Sequence, residues 1–513
     1  MGIILTIGYI LFFILLIYKW KYFYIEGLSY KIIIVLFLLK IFTCFILTII
    51  YSKYYTERSA ADIFKYFDDS KYIYNALFIN PVHYLQLVFG INSDAEYLQV
   101  YVQKTVNWLN QTDYYLKITN QTNNNFYEST RLITRVNAIF RIFSFGYYYV
   151  HCIFMIFISL IGQFAIFKTF YPFLKTKKKE LILFIFITPS ILLWSSGILK
   201  ENIVFLGLGI FIFNFFKIIN KTFNYKTFLY LAISLYIIFI SKYYILIALI
   251  PSSFAALLIT YTNKKGMGIK YLIVNLFLLF IFLNFRFIFP SINPLEKIAE
   301  KQRNLIRTSK GGTYILRENK NKKDILYISS EKNIAKNNTD NHVLIALGTP
   351  YKLYINGEEQ AEISYIKNDS SKYKILFTSQ KAGSYIEIKK LKPTIYSFVT
   401  SIPGSLINTF FRPFVFESKS LMILFAAIEN LFLILFIIIC SIFKEKNIQN
   451  KNIMLFCINF SIVLNILIGL TNPVLGTIVR FRIFSILLLL LASLIILDRE
   501  KLKNYFKSLY ARI

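Results

Sequence analysis

Three carboxylates lie within eight residues of one another in the stretch Ala61-Asp62-Ile-Phe-Lys-Tyr66-Phe-Asp68-Asp69-Ser-Lys-Tyr72. At helical spacing Asp62, Tyr66 and Asp69 fall at i, i+4 and i+7, on one face, while Ile63, Phe67 and Tyr74 fall on another. Two carboxylates turned toward one cleft suit a general base, which accepts a proton from a hydroxyl, and a partner that orients a sugar or a metal. The competing reading is the solvated face of a helix lying along a membrane. The spacing does not choose among Asp62, Asp68 and Asp69 as the base.

A second group is cationic. Pro189-Ser-Ile-Leu-Leu-Trp194-Ser195-Ser196-Gly197-Ile-Leu-Lys200-Glu201 reads as the end of one apolar helix and the start of the next. Ser195, Ser196 and Gly197 favour a tight turn. Lys200 and Glu201 then open a helix, whose N-terminus attracts anions such as a lipid phosphate; a plain hairpin is the alternative. Further on, Arg480 and Arg482 open the last apolar run. Guanidinium forks match phosphate oxygens, so this pair reads as phosphate-binding, or else as the internal partner of Asp62, Asp69 or Glu201. Lys242, Arg286, Arg303, Arg307 and Arg412 complete the cations on the same expected side.

The elements that must position these residues are membrane helices. Of 513 residues 56% are hydrophobic, with a mean hydropathy of +0.54. Runs of about 20 nearly uncharged residues recur, the length that crosses hydrocarbon as a helix. The expected fold class is an all-α polytopic membrane protein of about eleven helices, at roughly 2–18, 31–51, 147–171, 181–198, 202–217, 227–241, 244–261, 270–288, 420–443, 453–470 and 482–497. The boundary between the sixth and seventh is open: one bent helix with a re-entrant piece would also fit. Lys-rich loops at 19–21, 175–179, 217–226, 264–265 and 444–451, and the tail 499–512, then fall on one side, which the positive-inside rule makes cytoplasmic. The expected topology puts the N-terminus outside and the C-terminus inside.

Five regions follow: helices over 1–51, a first outer loop over 52–146 with two helices lying on the membrane surface (62–77 and 97–109), helices over 147–288, a second outer loop over 289–419, and helices plus tail over 420–513. The second loop opens with a helical stretch, 293–308. Short alternating runs follow, with Asn356-Gly357 as a hairpin signal, and predict a small β-rich insert at about 318–388. The net charge of +31 has a home in the loops and does not call for nucleic acid. Cys44, Cys152, Cys440 and Cys457 sit in apolar runs, and His83, His151 and His342 are scattered, so no metal site is read. No nucleotide-binding loop, dinucleotide fingerprint, Ser-His-Asp set or zinc-protease motif is present.

The order of these features, an acidic loop entered from a membrane helix, two surface helices and then many spans, resembles the GT-C superfamily of membrane glycosyltransferases. The likeness is to the bacterial branch related to protein mannosyltransferases and lipopolysaccharide sugar transferases, and covers the first half of the chain. The resemblance implies that Asp62, with Asp68 or Asp69 as second acid, holds the place of the family's catalytic base. This chain differs in carrying an extra helix before the acidic loop and in spreading its acids over two positions. The Pro-Ser…Trp-Ser…Lys-Glu stretch looks like one found in bacterial cell-surface polysaccharide assembly proteins. Together these imply an enzyme of the cytoplasmic membrane that moves a sugar from a polyprenyl-phosphate donor to a lipid, glycan or protein acceptor. Lys200, Glu201, Arg480 and Arg482 would bind the phosphate. No cofactor is required, and a divalent metal is left open. An oligosaccharide polymerase or ligase, and a transporter or flippase of lipid-linked glycans, are the rival readings.

Overall fold

The computed structural model describes the chain except residues 56, 107, 109–128, 290–292, 320–321, 330–333, 337–342, 356–357, 368–371 and 511–513. Its helices begin α1 (Gly2–Lys19), α2 (Tyr30–Tyr54), α3 (Asp62–Ile79), α4 (Pro81–Phe89), α5 (Glu96–Val102), α6 (Ser129–Ser144) and α7 (Tyr148–Phe170). They continue α8 (Lys178–Ile182), α9 (Pro189–Trp194), α10 (Lys200–Ile219), α11 (Tyr225–Lys242), α12 (Tyr244–Tyr261), α13 (Met267–Ile288) and α14 (Pro294–Lys310). After a sheet come α15 (Ile395–Leu406), α16 (Leu421–Ile442), α17 (Lys451–Thr471), α18 (Leu475–Phe481), α19 (Ile483–Ile496) and α20 (Arg499–Tyr510).

Among the described residues nine helices are long and apolar enough to cross a membrane: α1, α2, α7, α10, α11, α12, α13, α16 and α17. The pair α18–α19, bent by 54°, makes a tenth if counted as one span. By length and composition the chain is a helical polytopic membrane protein. The run at 181–198, expected as one helical span, is broken into α8, a π-helical turn at 183–187 and α9, and still leads from the Lys178 end to the Glu201 end. Pro189 lacks the N–H that would continue the ladder, so the run breaks there. The run 227–261, open in the sequence, is two helices parted at Tyr243.

The spans do not share burial equally. The apolar window of α7 is 83% buried and that of α13 only 6%, so α7 is central and α13 faces outward, where lipid covers apolar side chains. Two glycines let α7 and α10 touch backbone to backbone. A Cβ on Gly209 would stand 2.0 Å from the Gly162 carbonyl oxygen, and one on Gly162 equally close to that of Phe205. Small residues permit such approach between membrane helices, where packing rather than hydrophobic exclusion drives association.

One face of α3 packs into the protein. Ile63, Phe64, Tyr66 and Phe67 are all buried in the main core. The reason is α6, which the sequence reading did not isolate. Arg141 of α6 donates to Ser70 Oγ at 2.7 Å and to the Phe67 carbonyl at 2.6 Å, pinning the two helices together. The second expected surface helix, 97–109, is represented by α5, whose Leu98 and Val102 bury with Tyr84, Leu87 and Trp108. Residues 107 and 109 lie outside the described residues.

The β-rich insert is an antiparallel sheet of five strands in the order β6-β5-β2-β1-β7, with β3 and β4 forming a separate pair. The strands are β1 (Gly312–Asn319), β2 (Lys322–Ile328), β3 (Ile334–Lys336), β4 (Val343–Ile345), β5 (Pro350–Ile355), β6 (Glu358–Tyr365) and β7 (Lys372–Ser379). Ile355 pairs with Glu358 across the expected hairpin, whose residues 356–357 lie outside the described residues, as does His342. The sheet starts and ends earlier than 318–388. Residues 384–386 belong to the core instead: Tyr385 bridges Val474 and the Ile386 amide donates to the Pro473 carbonyl at 2.8 Å.

Contacts between loops separate the two ends of the bundle. Lys178 donates to the Gly27 carbonyl, Lys177 pairs with Glu445, and Arg499 pairs with Glu180. Three of the basic loops and the tail therefore share one end. Asp62, Glu201, Lys242 and Arg480 share the other.

Candidate functional site

Four of the charged residues at that second end stand where their helices favour them. Asp62 and Glu201 occupy the first turns of α3 and α10. Lys242 and Arg480 occupy the last turns of α11 and α18. Helix N-termini favour anions and C-termini cations, so four helix ends converge with complementary charges.

Arg480 is the centre. Its Nε and Nη2 donate to the two oxygens of Glu201 at 2.8 and 2.9 Å, a bidentate fork. Its Nη1 donates to Asp62 Oδ2 at 3.0 Å. Lys242 Nζ lies 2.7 Å from Glu201 Oε1, and Lys65 Nζ lies 3.4 Å from Asp62 Oδ1. The Trp194 ring backs the guanidinium at 5.3 Å. Lys200 approaches the Tyr66 ring at 5.6 Å and is within electrostatic reach of Asp62 and Glu201. Glu201 is fully buried, whereas 32% of the Asp62 side chain is exposed, so Asp62 is the carboxylate open to a reactant. Burial raises the Asp62 carboxyl, but Arg480, Lys65 and Lys200 outweigh it and hold it below its ordinary value.

No family model, no curated protein and no solved structure matches this chain. The site therefore has to be read from its own chemistry.

Four basic side chains, Arg480, Lys242, Lys65 and Lys200, gather about two carboxylates, an excess of bases over acids in a largely buried place. An excess of that kind suits a phosphate or diphosphate. Among the described residues no group of three His, Cys, Asp or Glu side chains gathers to hold a metal.

The other sequence candidates go elsewhere. Asp68 pairs with Arg58 at 2.7 Å on the surface. Asp69 is buried and accepts from the Val106 amide at 2.9 Å, which ties the following segment to α3. Asp62 and Asp69 thus do not face one cleft. Arg482, two residues beyond Arg480, is 2% exposed, and its Nη1 donates to the carbonyls of Thr409 and Arg412. These close a π-helical turn at the end of α15, so Arg482 caps a helix C-terminus. Arg303 pairs with Glu296, Arg412 with Glu417, and Arg307 with Asn304 and Tyr354. The Arg286 side chain lies outside the described residues.

Two participants escaped the sequence reading. Lys65 is one, a residue inside the quoted motif whose pairing at i, i+3 was visible in principle. Lys40 is the other. It is fully buried within α2 and donates to Gln163 Oε1 at 2.7 Å and to Ser195 Oγ at 2.5 Å. It anchors the Ser195–Gly197 turn that precedes Lys200 and Glu201. Its signal was a single charge inside an apolar run, which is expensive in a membrane and signals a role.

Proposed function

We propose that the chain is a membrane glycosyltransferase that takes a sugar from a polyprenyl-phosphate donor. The observation that carries this is Arg480 clamped between Asp62 and Glu201 amid a surplus of lysines. The surplus would hold the donor phosphate, and Asp62 alone of the two carboxylates is open to an acceptor. In the proposed step the acceptor oxygen attacks the anomeric carbon and its proton passes to Asp62. The bond from the anomeric carbon to the phosphate oxygen breaks, and the electron pair leaves with the phosphate, whose charge the cations neutralise. Configuration at carbon inverts.

By the positive-inside rule we assign the end carrying the Lys-rich loops to the cytoplasm of a bacterial inner membrane, and the Arg480 end to the outer face. Mass spectrometry of surface glycans and lipids tests the reading. A strain lacking the chain should lose one sugar from a surface acceptor. Wild-type chain should restore it, and Asp62→Asn should not. Restoration by Asp62→Asn would overturn it.

One observation favours a second reading, transport of a lipid-linked glycan. Two spans are interrupted, at 183–189 and between α18 and α19, and broken helices are a feature of transporters. Under that reading the strain lacking the chain accumulates unmodified lipid-linked glycan, and purified chain releases no lipid phosphate from donor.

A further inference from the structure

A cavity of about 300 Å³ opens between α14, α15 and the end of α17, bounded on one side by residues 387–389. It is far larger than the roughly 10–15 Å³ that seats one water. The walls are built. Gln302 donates to the Lys389 carbonyl at 3.1 Å and the Leu470 carbonyl at 2.6 Å, and accepts from the Leu391 amide at 2.8 Å. Gly469 lets α17 press against α15, since a Cβ there would stand 2.3 Å from the Ser405 carbonyl oxygen. Gly404 does the opposite: a Cβ there would meet nothing within 4 Å, so its missing side chain leaves the cavity open.

The lining offers donors and acceptors in balance. Ser401 and Ser405 lie one turn apart and give their hydroxyl protons to Ser397 and Ile402 carbonyls, which leaves their lone pairs as acceptors. The Asn408 carbonyl already accepts from Arg412 at 3.0 Å, so its amide donors are what it offers. Lys389 is spent partly on Thr400, at 2.8 Å, and Glu387 also lines the cavity, so the formal charges of the lining cancel. Hydroxyl acceptors, amide donors and a neutral total suit a polyhydroxylated, uncharged ligand. They do not suit phosphate, for which the Arg480 end carries the surplus charge. The two places are joined: Ser384, three residues before Glu387, accepts from the Gly476 amide at 3.2 Å. Arg480 lies one turn further along α18, about 6 Å of rise.

We propose that this cavity is a saccharide-binding site for a neutral sugar unit, separate from the phosphate-binding cluster. The inference leans on the sugar-transfer reading for its physiological sense, but its test needs no transfer.

The test is saturation-transfer NMR on the full chain in phospholipid nanodiscs free of glycoside detergent. The probes are a panel of methyl hexosides and N-acetylhexosaminides, with glycerol phosphate as the anionic comparison. At least one hexoside should receive saturation in the wild type. The signal should persist in Gly404→Ala, vanish in Gly404→Phe, which fills the cavity, and fall roughly fivefold in Asn408→Ala, the loss of about one hydrogen bond. Size-exclusion profiles check each variant, and if Gly404→Phe aggregates Asn408→Ala decides. Saturation of no hexoside, of glycerol phosphate only, or equally in Asn408→Ala and wild type would overturn the proposal. Asp62→Asn should keep hexoside binding; if it does while surface glycans are unchanged by the same substitution, the transfer reading falls and the saccharide site stands.

Discussion

Arg480 and Asp62, 418 positions apart in the chain, meet at 3.0 Å, and Glu201 holds the opposite edge of the same guanidinium. A cation shared in this way has two duties that substitution can separate, holding three helices together and neutralising a ligand.

Arg480→Gln removes the shared charge and leaves a fully buried Glu201 paired with Lys242. Breaking a buried ion pair from one side typically costs about 3–5 kcal/mol. The variant should unfold at clearly lower temperature and bind lipid phosphate more weakly. Arg480→Lys keeps the charge but loses the fork, and should recover stability only in part. A thermal melt of Arg480→Gln that overlays the wild type would contradict the clamp.

Asp62→Asn should leave folding and donor binding nearly intact and reduce transfer by about 10²–10⁴, the usual cost of losing a general base. Single-turnover transfer with saturating lipid donor measures it. A comparable loss in Asp68→Asn, whose partner is Arg58 on the surface, would point the assignment elsewhere.

The pH response follows from the depressed Asp62 carboxyl. Its contribution to stability is fully present above the ordinary aspartate value near 3.8 and is lost only as pH falls through the lower folded value. In Arg480→Gln the burial that raises this carboxyl is opposed by Lys65 and Lys200 alone. The acid limb of the stability profile should then move to higher pH. Unfolding midpoints measured across acid pH for both proteins would reveal it, and coincident acid limbs would rule it out.

Arg482→Gln should behave unlike Arg480→Gln. It leaves the Thr409 and Arg412 carbonyls short of a donor, a cost of about 1–3 kcal/mol, while KM for the lipid donor should stay within twofold or so of wild type. A KM raised as far as in Arg480→Gln would return Arg482 to the phosphate site.

Joining Gly311 to Lys381 should remove the sheet and spare the membrane core. The ends already meet, since the Ala382 amide donates to the Ser309 carbonyl at 2.9 Å. The excision must stop before Ser384, which bonds α18. Failure of the shortened chain to insert and purify as a monodisperse protein would show that the sheet is not dispensable.

The sequence made the spans legible because lipid imposes one rule, about 20 apolar residues and internal hydrogen bonds, on each segment separately. Where the rule met Pro189, the run at 181–198 broke, and counting apolar residues did not foresee it. Asp62, Glu201 and Arg480 were each legible as costly charges at helix ends. That they form one cluster was open, because pairing across hundreds of residues leaves no local period. The face shared by Asp62 and Asp69 misled for a related reason. Helical spacing says which residues align, not what packs against them, and α6 with Arg141 covers that stretch of α3.

The chain's order of synthesis also bears on its buried carboxylates. At about 5–20 residues per second, Arg480 emerges roughly 20–80 s after Asp62. Glu201 does not wait so long for a cation. Lys242 follows it by 41 residues, a delay of roughly 2–8 s on the same scale. The ion pair at 2.7 Å between them joins the two open ends of the α10–α11 hairpin, so both partners exist before Arg480 is made. In chain order Lys242 is thus available to Glu201 first, and Arg480 only with the last helices.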